Sequence, residues 1–274
     1  MSDLPPTSMS VFSPATALQE PDRRPTRARD VIWFNWPVFA AAAAAVAAGI
    51  VVLAAFSPPL VVSLLVALGI AVGAVWLVAA TSAAWWVFEG SQLTRWWWLP
   101  GVLADPSAPW VNITTGFDDT TPSLARLLPF ASGAAVDLFD ESVAHDRSIL
   151  RARASRPPVP SAFRVRAGPL PLETASAGAA FLLMAAHEIR DPDRRDALFH
   201  ELARVLTADG RLVLVEHLRN APNAIAFGPG VFHFFPRSTW LGAATRAGLR
   251  LVEERRMTPL VSAFVFAPTA PSAA

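Results

Sequence analysis

Two long apolar runs dominate the first third of the chain. From Val38 to Phe56 nothing is more polar than Gly49, and from Leu60 to Ala80 the only polar side chain is Ser63. Each run is close to the roughly 20 residues that cross a bilayer as a helix. Phe56-Ser57-Pro58-Pro59 separates them, and consecutive prolines stop a helix. The pattern predicts a transmembrane helical hairpin. A pair of buried helices in a soluble bundle is the alternative, and the alanine run Ala40 to Ala45 fits it.

Beyond the hairpin the pattern changes to alternating short elements. Strands are predicted at Trp110 to Thr114, Gly133 to Leu138, Phe163 to Arg166, Ala179 to Met184 and over "RLVLVEH", Arg211 to His217. Ala179 to Met184 is continuously apolar, as a strand buried on both faces should be. Helices are predicted at Pro122 to Leu128, Ser148 to Ala154, Asp193 to Leu206, and Thr239 to Ala247 with Ser238 as cap and Gly248 as stop. "LRLVEERR" and "LVSAFVFAP" end the chain as two strands joined by a short turn, hence antiparallel. Strand–helix alternation implies an α/β fold: a parallel sheet, helices on both faces, an antiparallel last strand.

The expected organisation is a disordered tail over 1–30, the hairpin over 31–88, an interfacial connector over 89–109, one α/β domain over 110–268 and a short tail over 269–274. The front tail is rich in Pro and Ser with little apolar periodicity. Trp33 and Trp36 before the spans, and Trp85, Trp86, Trp96, Trp97 and Trp98 after them, form an aromatic belt at one membrane face.

Composition then narrows the function. All 23 basic residues are Arg, and Lys, Cys and Tyr are absent. No disulfide, Cys-ligated zinc or thiol nucleophile is available. The net charge is +1 and no basic stripe lies outside the cluster Arg23, Arg24, Arg27 and Arg29, so no nucleic-acid partner is expected. That cluster precedes the first span and the hairpin tip has no basic residue. The positive-inside rule therefore places both termini and the α/β domain in the cytoplasm, with two spans in the inner membrane.

The order of elements resembles the class I S-adenosylmethionine-dependent methyltransferases, with a Rossmann-like seven-stranded sheet. Three stretches carry the resemblance: "ELARVLTADGRLVLVEHL", "AGPLPLETASAGAAFLLMAAHEIRD" and "TRAGLRLVEERRMTPLVSAFVFAP". The first departs from the family's "RVLKPGG" at Ala208 and Asp209 but keeps Gly210. "GFDDT", "EHLRN" and "FGPGVFHFFPR" further resemble a bacterial subgroup with an N-terminal membrane hairpin.

The resemblance implies S-adenosylmethionine as cofactor. Its usual first loop is acidic-x-Gly-x-Gly-x-Gly; here Asn112 and Thr114 stand in that register and only Gly116 remains. Asn112, Asp118 and the threonines could serve the methionine end, with Gly116 allowing close approach. Equally, "TTGFDDTT" could be only a capped turn, with Asp119 or Thr121 as N-cap. Asp137, or Asp140 if the strand is longer, is the implied ribose acceptor. Leu170 and Leu172 would flank the adenine, although Ala167-Gly168 replaces the usual acidic residue there.

Ligands in open parallel sheets bind beyond the carboxyl ends of the strands. His187-Glu188 follows the fourth strand and Glu216-His217 the fifth, so both pairs are candidate catalytic residues, with a His as proton acceptor. Packing or capping at the strand ends is the competing role for each His. A metal held by two His and two Glu is conceivable, but nothing in the sequence fixes its geometry and no metal is assigned. "NAIAFGPGVFHFFPRSTW" is too apolar for a solvent loop. Phe227, Phe232, Phe234, Phe235 and Trp240 are expected to line an acceptor slot with His233 and Arg237 as polar anchors; packing on the membrane surface is the alternative. Either way the partners are the membrane and a lipophilic small-molecule or lipid acceptor. A methyltransferase-like scaffold without activity is the competing function, favoured by the glycine-poor first loop. A dehydrogenase would need a Gly-x-Gly-x-x-Gly turn that is missing.

Overall fold

The computed structural model describes residues 11–19, 24–91, 93–143, 145–166 and 168–269. Arg23, Ala167, residues 1–10 of the expected front tail and 270–274 of the end tail lie outside them. A short helix α1 (Ala28–Phe34) leads into α2 (Trp36–Phe56), which Ser57 ends in the left-handed conformation, and then α3 (Leu60–Trp85). At 21 and 26 residues α2 and α3 are about 32 and 39 Å long, against a hydrocarbon core of about 30 Å. Both are long and apolar enough to cross a membrane, with mean hydropathy 2.5 and 2.7. Within the chain they are not buried: Leu64, Leu65, Leu68, Val72, Val75 and Val78 are all exposed. Small residues let the two helices approach. A Cβ on Gly49 would lie 2.8 Å from Ile70, and one on Gly73 2.8 Å from Val46.

The α/β domain holds β1 (Trp110–Thr114), α4 (Thr121–Leu127), β2 (Ser132–Asp137), α5 (Arg147–Ser155), β3 (Phe163–Arg164), β4 (Ala177–Leu183), α6 (Pro192–Val205), β5 (Leu206–His217), α7 (Ala221–Phe227), α8 (Arg237–Arg246), β6 (Leu249–Arg256) and β7 (Val261–Pro268). The sheet order is β3-β2-β1-β4-β5-β7-β6. The first five strands run parallel, and β7 inserts antiparallel between β5 and β6. This is the methyltransferase-like sheet expected from the sequence. Every residue of β1 and β4 is buried, because helices cover both faces. Leu198, Phe199, Leu202 and Trp240 pack on one face; Leu124, Ala125, Leu93 and Leu99 pack on the other.

Several expectations need correction. The front tail is not disordered throughout. Ser13–Pro14 pairs antiparallel with Ser132 and Gly133 at the start of β2, and Leu18 is buried against α4. The connector is not purely interfacial: Leu93, Trp96 and Leu99 are buried in the domain core, while Trp33, Trp36, Trp85, Trp86 and Trp97 are exposed. Helix α8 starts at Arg237, two residues earlier than expected, with Pro236 at its N-cap. Part of the supposed acceptor loop is helical: Asn220 caps α7 by accepting the Asn223 N–H at 3.1 Å.

Candidate functional site

A cavity of about 460 Å³ opens beyond the carboxyl ends of the central parallel strands. Thr115 borders it after β1, Leu138 and Asp140 after β2, Val165 after β3, and Glu188 and Ile189 after β4. Gly168 and Leu170 form one wall, and His145, Asp146 and His233 complete the rim. Gly168 takes φ +95°, which only glycine adopts without strain. The volume suits a ligand of cofactor size.

Of the residues expected at the cofactor, some reach this cavity and some do not. Leu170 lines it, with its N–H held by Glu201 Oε2 at 2.8 Å. Asn112 does not: its amide donates to the Thr120 and Thr121 hydroxyls at 2.8 Å each, deep in the core. Thr114 is buried against the carbonyl of Val136. Gly116 is covered by α5, where a Cβ would lie 2.8 Å from Ile149. Asp118 is buried and accepts the N–H groups of Thr120 and Thr121 at the head of α4; burial pushes its carboxyl pKa up, against those two bonds. The N-cap position is Thr120, neither Asp119 nor Thr121, and Asp118 is the carboxylate that meets the first N–H groups.

Asp137 is also taken. It is 1% exposed and pairs with Arg153 Nη2 at 2.8 Å. The Arg153 guanidinium lies over the Phe139 ring and donates to the Gly116 carbonyl at 2.9 Å. Asp140, the alternative reading, is the one of the two that borders the cavity, held by Ser142 and 3.5 Å from Arg194. His145 was missed. It stacks on Phe139 at 4.1 Å and bonds the Asp140 carbonyl. Its place in the loop after β2 was the available signal.

The four residues at the ends of β4 and β5 split into two settings. His187 Nδ1 lies 2.7 Å from Glu216 Oε2, and Glu216 Oε1 also accepts the His187 backbone N–H at 3.1 Å. His187 Nε2 is 3.4 Å from Glu188 Oε1, which is 3.0 Å from His233 Nε2. Burial alone would lower the His187 pKa, but the two glutamates outweigh it and raise it to about 10. Burial likewise opposes ionisation of Glu188, yet His187 and His233 hold its pKa well below the carboxylate range. The two carboxylates beside its ring favour the protonated imidazole.

His217 belongs elsewhere. Its Nδ1 faces the Leu260 carbonyl at 3.1 Å and Asn223 Oδ1 at 3.2 Å, and its ring stacks on Phe234. Burial, reinforced by the His187 charge, pushes its pKa down to about 4. Phe227 packs on the rings of both His217 and Phe234, so it stands beside this group rather than on the cavity wall. Phe235 sits under the Arg190 and Arg195 guanidiniums and against Trp240. Trp240 is fully buried on Phe199 and lines nothing. Arg237 is spent on an exposed pair with Glu254 and anchors no ligand within this arrangement. His233 alone among the expected acceptor residues borders the cavity.

No protein-family model and no curated protein matches the sequence. Solved structures are similar in shape. A SAM-dependent methyltransferase from Aquifex aeolicus is 14% identical, over 61% of this chain and 86% of that one, with TM-score 0.45. One from Methanosarcina mazei is 15% identical, over 63% and 98%, with TM-score 0.46. An amino-demethyl-riboflavin dimethyltransferase from Streptomyces davawensis is 14% identical, over 70% and 58%, with TM-score 0.45. These likenesses are too distant to decide chemistry, which rests on this chain's own residues.

Proposed function

We propose that the protein is a membrane-anchored methyltransferase that uses S-adenosylmethionine and acts on a lipophilic acceptor. The observation that carries this reading is the cavity at the carboxyl ends of a β3-β2-β1-β4-β5-β7-β6 sheet. Its residues fit the adenosine half of the cofactor. Asp140 would accept the ribose hydroxyls, and Leu138, Val165 and Leu170, which line the same cavity, would flank the ring. Thr115 and Glu188 offer polar groups at the other end. The bound cofactor supplies an electrophilic methyl group on its sulfonium. What the chain must add is alignment and exclusion of water.

The membrane side rests on independent features. Helices α2 and α3 are long enough to span, and Arg24, Arg27 and Arg29 precede them. The segment ahead of α2 touches the domain: Arg151 donates to the Phe34 carbonyl at 2.7 Å, and Arg156 pairs with Asp30 at 3.0 Å. Both ends of the hairpin are therefore on one side, as two crossings require. Helix α7 packs on α3, and Gly228 lies next to Trp76. Ile225 and Phe232 are exposed beside that contact, at 69% and 67%. An acceptor dissolved in the leaflet would meet the domain there.

The Arg153–Asp137 pair and the cover of Ile149 on Gly116 favour a second reading, a methyltransferase-like scaffold without activity. Calorimetric titration of the full chain in lipid nanodiscs with S-adenosylmethionine separates the two. The enzyme reading expects saturable binding, weakened about tenfold by Asp140→Ala, a loss of about 1.5 kcal/mol. It also expects transfer of labelled methyl to lipid extracted from the host membrane. Absence of binding would leave the scaffold.

A further inference from the structure

We propose that His187 Nε2, Glu188 Oε1 and His233 Nε2 form a three-ligand site for a divalent transition-metal ion, with zinc the best match. One donor atom from each of the three residues lies within 4.8 Å of the other two. Two of the separations are 3.0 and 3.4 Å. Metal–ligand bonds of about 2.0–2.1 Å in a tetrahedron put ligand atoms about 3.4 Å apart. The pocket of donors therefore closes on an ion with shifts of tenths of an ångström for those pairs.

The surroundings point the same way. A ligating His needs its second ring nitrogen held, so that the first presents a lone pair. Glu216, wholly buried, takes the His187 Nδ1–H at 2.7 Å and so directs Nε2 toward Glu188 and His233. Asp146 Oδ2 stands 3.5 Å from His233 Nδ1, in the matching place. Arg190 donates to the backbone carbonyls of His233 and Phe232 and fixes the segment that carries the second imidazole. Three carboxylates thus face two imidazoles. A dication held among them would be offset by this negative charge.

Two imidazoles and one carboxylate are a donor set for a borderline metal, not for Mg²⁺ or Ca²⁺. Three protein ligands leave a fourth position open. Glu188 and His233 both border the cavity, so that position faces it. The ligand it takes is an oxygen donor: water, or a hydroxyl or enol oxygen of whatever fills the cavity. The metal site shares Glu188 with the far end of the proposed cofactor cavity, but its ion binding is read without the cofactor.

The test uses the full chain in nanodiscs after treatment with a chelator. Zinc should bind at one ion per chain in competition with a chromophoric chelator. Cobalt should give the visible bands of a tetrahedral nitrogen–oxygen site. The double variant His187→Ala, His233→Ala should lose this binding, leaving His145, His200 and His217 unable to replace it. Glu216→Gln, which keeps all three ligands, should weaken binding about 10–100-fold while leaving the cobalt spectrum tetrahedral. Failure of the folded parent chain to bind zinc or cobalt stoichiometrically would show that the cluster is only an ion-pair network. Undiminished binding by the double variant would place the metal elsewhere; either result overturns the proposal. Neither outcome depends on S-adenosylmethionine, so failure here is distinct from failure of the proposed activity.

Discussion

Arg153 Nη2 stands 2.8 Å from Asp137 Oδ2, and Asp137 is almost wholly buried. The carboxylate at the end of β2 therefore serves as an anchor for α5. The same guanidinium reaches the Gly116 carbonyl, so one side chain ties the loop after β1 to the end of β2. Arg153→Ala would leave a buried carboxylate without its counter-charge. Removing one member of such a pair costs about 3–5 kcal/mol. Urea unfolding of the variant should show a loss of that size, and a loss below about 1 kcal/mol would mean that water takes the place of the guanidinium at Asp137.

How much of this was legible is best seen residue by residue. Strand β4 announced itself as an apolar run, because a strand covered on both faces has no polar side to show. Ser13–Pro14 could not be read: two residues carry no period, and their pairing comes from contact with β2. Asp137 ends β2 as expected, but its partner sits 16 positions away on helix α5, and no local pattern reveals that. Trp240 and Phe235 looked like pocket residues because composition alone does not tell a core from a slot. The cap of α7 was visible as Asn220 before Ala221-Pro222, and the apolar content of the segment masked it.

Gly228 takes φ +54° and ψ −132°, and a Cβ there would lie 3.2 Å from Trp76 Nε1. Both backbone and space therefore reserve this position for glycine, at the contact between α7 and the second apolar helix. Gly228→Val should destabilise by about 1–3 kcal/mol. Amide hydrogen exchange in Ala221–Phe227 should accelerate in the variant. Gly101→Ala, where nothing lies within 4 Å of the added methyl, is the control and should change neither quantity. Exchange in α7 that is unaltered by Gly228→Val would separate α7 from α3.

His217 gives the chain a pH dependence. It is 6% exposed and its pKa is lowered to about 4 from 6.5, burial being the main cause. The folded state then binds fewer protons at this site than the unfolded state. Its contribution to stability is whole above pH 6.5, falls as the pH drops toward about 4, and is lost below that. The loss amounts to about 3 kcal/mol. Melting temperatures measured across this range should decline in the parent and decline less in His217→Asn. Parallel curves for the two proteins would show that another group is responsible.

The last prediction concerns removal of residues 1–88. From the sequence this segment reads as an anchor attached to a self-sufficient domain, and its deletion would then spare the domain. The packing says otherwise. Leu18, Ala83 and Val87 are buried in the same core cluster as Trp110, Leu124 and Phe181. Glu89 accepts the Ala28 N–H at 3.2 Å, and Arg156 donates to the Arg24 carbonyl at 2.7 Å. Phe34 packs on Phe117 in the loop after β1, with ring centroids 6.1 Å apart. Each large apolar side chain withdrawn from this core costs about 1.5–3 kcal/mol. Leu18, Phe34 and Val87 together rival the 5–15 kcal/mol by which a domain is normally stable. The fragment 89–274 should therefore be expressed as an unfolded or protease-sensitive chain, with the loop at Gly116 and Phe117 cut first. Polar substitutions confined to exposed positions of α2 and α3, such as Leu64, Leu68 and Val75, should abolish membrane association and leave the domain's melting temperature within a few degrees of the parent. A fragment 89–274 that melts cooperatively at the parent's temperature would show that the front of the chain only anchors, and that its buried contacts add no stability.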